Sequence, residues 1–188
     1  MRLFIAVPLP EAVSERVTAV LAELGRREWP VRWVRASGLH ITLKFFGEVT
    51  PDRVDAIEEA LRRAADGTAP LELALGSGGA FPTVRRARVL TLGIRGTAGL
   101  ELLQDRLERA CEAIGYPPEG RPFFPHVTLG RVREGARLPR DAQTILEGIG
   151  PELPFRADRV VLFESRQTPD GPSYRERAVH SFPDGTGP

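Results

Sequence analysis

The segment His40-Ile41-Thr42-Leu43 returns later in the chain as His126-Val127-Thr128-Leu129, and the shift that lays His40 on His126 also lays residues 3–8 on 89–94. A chain that repeats a strand and a motif at one shift is constrained to build the same small unit twice. Each half, about 1–86 and 87–182, reads as strand, helix, histidine strand, helix and strand pair. That order predicts an α+β fold of two pseudo-symmetric lobes, each a mostly antiparallel sheet with outer helices, around a central cleft. No flexible Gly/Ser linker separates the halves, so residues 1–182 are expected to form a single bilobal domain, with 183–188 as a disordered tail. At 188 residues and 41% hydrophobic content the chain can fill one such core.

Periodicity supplies the elements. Val13, Val17, Val20, Leu21 and Leu24 fall on one helical face, as do Val54, Ile57 and Leu61, and again Leu100, Leu103, Leu107, Cys111 and Ile114. Thr50 is placed to cap the second of these helices and Pro51 to open it. A weaker helix is expected over 139–147. Strands are expected near 3–7, 31–34, 71–75, 89–94, 159–163 and 174–181, with a Gly- and Arg-rich connection before the one at 89.

Composition excludes several classes. The formal charge of +1 gives no global field for nucleic acid, so any RNA contact must be local. The single cysteine, Cys111, lies on a helix's apolar stripe; it excludes an internal disulfide and fits a reducing cytoplasm. The apolar run near the N-terminus is short and broken by Pro8 and Pro10, so it reads as a strand and not a signal peptide. No stretch approaches the roughly 20 apolar residues of a membrane span. Lys44 is the only lysine among 26 basic residues, and it falls within the first motif.

Side chains alternate across a strand, so His40 and Thr42 share one face and Ile41 and Leu43 the other; His126 and Thr128 repeat this. Either histidine alone would read as structural, but the matched pair reads as a site. Two imidazoles across a cleft can divide proton transfer, one neutral to deprotonate water and one charged to protonate a leaving alkoxide. The threonine hydroxyls can donate to non-bridging phosphate oxygens. Two histidines without a cysteine or carboxylate at ligand spacing do not make a zinc site, so neither metal nor cofactor is expected. Glu48, the nearest acid to His40, reads as a loop residue.

The segments His40-Ile41-Thr42-Leu43-Lys44-Phe45-Phe46-Gly47 and Pro125-His126-Val127-Thr128-Leu129-Gly130-Arg131 resemble the signature motifs of the 2H phosphoesterase superfamily. Leu162-Phe163-Glu164-Ser165 followed by Gly171-Pro172-Ser173-Tyr174 is similar to the RNA 2′,3′-cyclic phosphodiesterases, also called 2′-5′ RNA ligases. The resemblance spans nearly the whole chain. It implies a bilobal fold and metal-free hydrolysis of an RNA 2′,3′-cyclic phosphate to a 2′-phosphate, with reversible 2′-5′ joining. It also implies His40 as proton donor to O3′ and His126 as acceptor from water. A small cyclic nucleotide, an ADP-ribose cyclic phosphate or a non-catalytic RNA-binding role are the alternatives.

Strict alternation would put Lys44 and Phe46 beside His40, to hold phosphate and to stack on a base, and Phe124 beside His126 for the same stacking role. Arg131 fits the family pattern as a phosphate ligand, but alternation sends it to the wrong face unless a bulge follows Gly130. Ser165 and Tyr174 are expected to shape the cleft, His180 to be an ordinary strand residue, and Arg85, Arg86 and Arg88 to gather RNA phosphates beside the site. With no apolar helix face left over, the chain is expected to be a monomer.

Overall fold

A computed structural model describes residues 1–150, 152–169 and 171–183. The tail expected to be disordered therefore lies, apart from Pro183, outside the described residues. Among the described residues nine strands form one antiparallel sheet: β1 (Arg2–Pro8), β2 (Val31–Trp33), β3 (His40–Glu48), β4 (Leu71–Phe81), β5 (Val89–Arg95), β6 (His126–Val132), β7 (Pro154–Ala157), β8 (Arg159–Thr168) and β9 (Gly171–Ser181). Four α-helices accompany them: α1 (Glu11–Gly25), α2 (Val54–Ala65), α3 (Ala98–Glu112) and α4 (Ala142–Gly148). None is long and apolar enough to cross a membrane.

In the strand order β7-β4-β5-β6-β3-β1-β8-β9 the inner six strands are palindromic under the repeat, with β1 answering to β5, β3 to β6 and β4 to β8. The α+β reading is sharpened in one respect. The two four-stranded arrays are not separate sheets, because β3 and β6 join them in register through Ile41 and Val127. Beyond that junction β2 takes the place beside β6, with Val31 opposite Val132 and Trp33 opposite Gly130. A side chain at Gly130 would meet the Val31 and Trp33 side chains and the Arg32 carbonyl at 2.5–3.0 Å, so only glycine admits β2 there.

Helices α2 and α3 pack on each other, α3 also against β3 and α2 against β8 and β9, while α4 lies on β4. Their buried faces, Val54, Ile57 and Leu61 on α2 and Leu100, Leu103, Leu107 and Cys111 on α3, are those expected from helical spacing. Each buried leucine stabilises by about 1.5–3 kcal/mol. The start of α2 differs from expectation. Pro51 opens a 3-10 turn, Pro51–Arg53, and the Thr50 hydroxyl bonds the Asp52 carboxylate instead of capping a backbone amide.

Lys44 occupies the helix side of the sheet, where its Nζ donates to Glu108 Oε2 of α3 at 2.5 Å and to the Pro117 carbonyl at 2.7 Å. The lysine is 3% exposed, and Gln104 Nε2 donates to the other Glu108 oxygen at 3.0 Å. Breaking a pair this buried strands a charge. Lys44→Met is expected to lower unfolding free energy by about 3–5 kcal/mol, and Lys44→Met with Glu108→Leu to recover most of it. Chemical denaturation of the two variants checks this; a single variant as stable as the parent would show that the pair holds nothing.

Candidate active site

The Ile41–Val127 pairing sets the geometry of the site. In an antiparallel ladder it places His40 beside Thr128 and Thr42 beside His126, and all four side chains leave the sheet on the face opposite Ile41 and Val127. Two strands thus deliver a block of two imidazoles and two hydroxyls around the pseudo-twofold. Ile41 and Val127 are fully buried behind it.

A matched pair of bulges decides what else joins the block. On β3 the register with β1 slips at Leu43, so that Thr42 faces Ala6 but Lys44 faces Ile5. On β6 the register with β5 slips at the equivalent Leu129, so that Thr128 faces Thr91 but Arg131 faces Val89. A bulge reverses the parity of everything beyond it. Lys44 is thereby turned away from the histidines into its ion pair with Glu108, which corrects its placement as a phosphate ligand. Phe46 is corrected likewise: its ring packs edge-on to Tyr116 at 4.9 Å, beside the core. Phe45 takes the exposed position on the histidine face, with the Arg2 guanidinium 5.5 Å from its ring centre. Arg131 moves the opposite way, since it returns to the face of His126 and Thr128 by a bulge at Leu129, ahead of Gly130 and not after it.

His40 sits in an aromatic box. Its ring centre lies 4.8 Å from Phe4, 5.4 Å from Tyr174 and 6.1 Å from Phe163. Burial, and in second place the His126 imidazole opposite, push His40 down to about 4. Burial also raises the Tyr174 phenol above its ordinary value, against the pull of Arg131 and Arg2. Arg131 therefore lies within electrostatic reach of a side chain on the other array. Ser165 pairs with Tyr174 across β8 and β9 and with Arg2 on β1.

His126 is held differently. Its Nδ1 lies 2.8 Å from the carbonyl oxygen of Phe124, a contact in which Nδ1–H donates and Nε2 is left to face the site. Phe124 is exposed next to it, and Phe81 lies 5.4 Å from His126 and 6.3 Å from Phe124. The floor between them is open because Gly79 and Gly93 occupy the rungs opposite Thr91 and His126.

Phe81 is the residue that strand reading missed. The glycines of 76–79 read as a connection, yet β4 runs through them to Phe81, and only the period-two spacing of Gly79 and Phe81 could have signalled it. Phe45, Phe4 and Phe163 were missed for the bulge or for lack of a polar signal. His180 lies elsewhere, half-buried opposite Val160 in a groove of about 370 Å³ between β9 and α2. Glu48, expected in a loop, ends β3 and meets the N-terminal ammonium at 3.3 Å. Among the described residues no three His, Cys, Asp or Glu side chains gather as a metal-binding group.

Comparison with known proteins agrees with this geometry. Over 185 residues the chain is 34% identical to an RNA 2',3'-cyclic phosphodiesterase of Methanothermobacter thermautotrophicus, covering 95% of this chain and 97% of that protein. It is 31% identical to one from Thermotoga maritima, covering 93% and 92%. The solved structure of TT0787 from Thermus thermophilus superposes with a TM-score of 0.82 at 27% identity, covering 98% of this chain and 100% of that one. E. coli LigT complexed with 3'-AMP superposes with a TM-score of 0.78 at 27% identity, covering 96% and 97%. The family model for the 2'-5' RNA ligase superfamily matches residues 8–169, a span that contains both His-x-Thr strands, and the chain belongs to that superfamily.

Proposed function

We propose that this chain is an RNA 2′,3′-cyclic phosphodiesterase that opens a terminal cyclic phosphate to a 2′-phosphate without a metal ion, and that also joins RNA ends 2′-5′ reversibly when a 5′-hydroxyl takes the place of water. The observation that carries the reading is the four-residue block of His40, Thr128, Thr42 and His126 on one sheet face. His126 Nε2 takes a proton from water as the water oxygen bonds to phosphorus. The P–O3′ bond breaks, and O3′ receives its proton from His40. Thr42 and Thr128 donate to the non-bridging oxygens, where charge builds, and Arg131 offsets that charge. Product release leaves His40 neutral and His126 protonated, and exchange with solvent restores both.

The relatives' names support RNA as substrate. The donor set, two imidazoles and two hydroxyls with no carboxylate among them, supports acid-base work over metal ligation. We also place the enzyme in the cytoplasm as a monomer formed from one bilobal domain, residues 1–182. Its one thiol is buried, and among the described residues three of the five large exposed apolar side chains, Phe45, Phe81 and Phe124, stand on the histidine face, with Leu102 and Val179 apart on α3 and β9.

With His40 as donor, the enzyme must protonate it on binding. The free site holds it neutral, and an anionic phosphate beside it favours the cation, raising the pKa and taking up a proton. NMR titration is expected to place His40 near 4 in the free enzyme and at least about one unit higher with a 2′-phosphorylated product bound, each unit being about 1.4 kcal/mol. If His40 stays neutral in the complex, His126 is the donor and the order reverses.

His40→Ala and His126→Ala are each expected to lower kcat on a defined RNA 2′,3′-cyclic phosphate by about 10²–10⁴. Thr42→Val and Thr128→Val are each expected to cost roughly 10². Turnover insensitive to EDTA with a 2′-phosphate product is the expected result. Loss to EDTA would end the metal-free mechanism, and a 3′-phosphate would overturn the regiochemistry.

A further inference from the structure

The molecule's charges are segregated in a way that the catalytic block does not use. No Asp or Glu occurs in residues 29–47, 73–100 or 120–133, the segments that supply β2, most of β3 and β4, and all of β5 and β6. On the helices and on β8 and β9, arginines pair with acids: Arg62 and Arg63 with Glu59, Arg109 with Asp105, and Arg166 and Arg177 with Glu164. Arg32, Arg85, Arg86, Arg88 and Arg131 are exposed and, among the described residues, make no salt bridge. The near-neutral total charge conceals this local excess.

Arg131 and Arg32 share the histidine face, and Arg85 and Arg86 stand on the turn beyond it, whereas Arg88, next to Val89 and beside Val132, is turned to the other face and only closes that turn through its backbone. Arg131 faces Arg32 directly across β6 and β2. On the other side of β6 the Val132 amide donates to the Arg88 carbonyl at 3.0 Å. Arg88 in turn donates its amide to the Phe81 carbonyl at 2.8 Å, closing the β4–β5 turn that carries Arg85 and Arg86. The line of Arg32, Arg131, Arg85 and Arg86 begins beside His126, where Phe81 and Phe124 stand exposed, and runs out along β6 to that turn. Aromatic faces next to unpaired guanidinium groups are what a single nucleic-acid strand requires: bases stack on the rings, and successive phosphates meet the charges.

We propose that Arg32 and the Arg85–Arg86 turn bind the phosphates of the RNA strand leading up to the terminal cyclic phosphate, so that the substrate is an oligonucleotide read beyond its last residue. This rests on the cyclic phosphodiesterase reading and extends it from the reacting group to the chain that bears it. Phe81 and Phe124 hold the terminal bases, and the arginines set affinity, with no reading of sequence. Arg131, at the junction, belongs to both the reacting phosphate and the line.

The test compares two substrates in the variant Arg85→Ala with Arg86→Ala, which leaves every residue of the histidine block in place. One is a mononucleoside 2′,3′-cyclic phosphate, which reaches only the block; the other is a short single-stranded RNA ending in the same group. The variant is expected to turn over the mononucleotide as the parent does while losing about tenfold in kcat/KM on the RNA, mostly through KM. The slope of log kcat/KM against log salt for the RNA should flatten by about 0.7 for each phosphate that no longer meets a guanidinium group. Equal losses on both substrates would make the turn a structural support of the site. Unchanged kinetics and salt slope on the RNA would show that the strand does not pass that way. A parent enzyme inactive on both substrates would defeat the cyclic phosphodiesterase reading itself, and unchanged binding of the labelled RNA by the double variant would separately defeat the arginine line.

Discussion

The contact on which the rest depends is the pairing of Ile41 with Val127. The two arrays bury their apolar faces in one continuous core, but it is the β3–β6 ladder that brings the two motif strands side by side. Because the ladder is antiparallel, it sets each histidine beside the other strand's threonine. A shift of one residue in this pairing would turn one strand's histidine and threonine into the core and bring its Ile41 or Val127 to solvent. The complete burial of those two residues is what opposes the shift.

The bulges at Leu43 and Leu129 are the second determinant, and they make the two arrays inequivalent. The same slip occurs at matching positions, so the two residues it returns to the site are matched as well: Phe45 from β3 and Arg131 from β6. The residues it removes are Lys44 and Gly130. Lys44 becomes a charge that needs an acid on α3, and Gly130 becomes a gap that β2 fills. A single backbone irregularity, used twice, thereby accounts for the buried ion pair on one array, the added strand on the other and the arginine on the histidine face.

Alternation and helical spacing carried the sequence reading far. The helix faces, the histidine strands and the parity of His40 with Thr42 and His126 with Thr128 depend on local period alone, and the fold preserves that period up to each bulge. Lys44 and Phe46 were misplaced because a bulge in one strand is set by its neighbour, and nothing in 40–47 announces it. Arg131 shows the same limit from the other side, since its expected bulge falls one step early. Phe81 was hidden by glycines that suit a loop and here suit a strand whose floor must stay open. Pairing with β5 decides between those, and that is a contact distant in sequence.

The pseudo-symmetric block does not by itself say which way a substrate lies; the surroundings do. His40 is enclosed by Phe4, Phe163 and Tyr174, and this apolar ring disfavours its cation until an anion arrives. His126 is oriented by the Phe124 carbonyl and opens onto Phe81, Phe124 and the unpaired arginines. A strand of RNA is a polyanion carrying flat bases, and the β6 side offers two ring faces and several arginines that make no salt bridge among the described residues. In the proposed reading the terminal ribose presents O3′ to His40, and the strand runs on from it along the β6 side. His40 stands at the closed end, where burial among these rings holds it neutral.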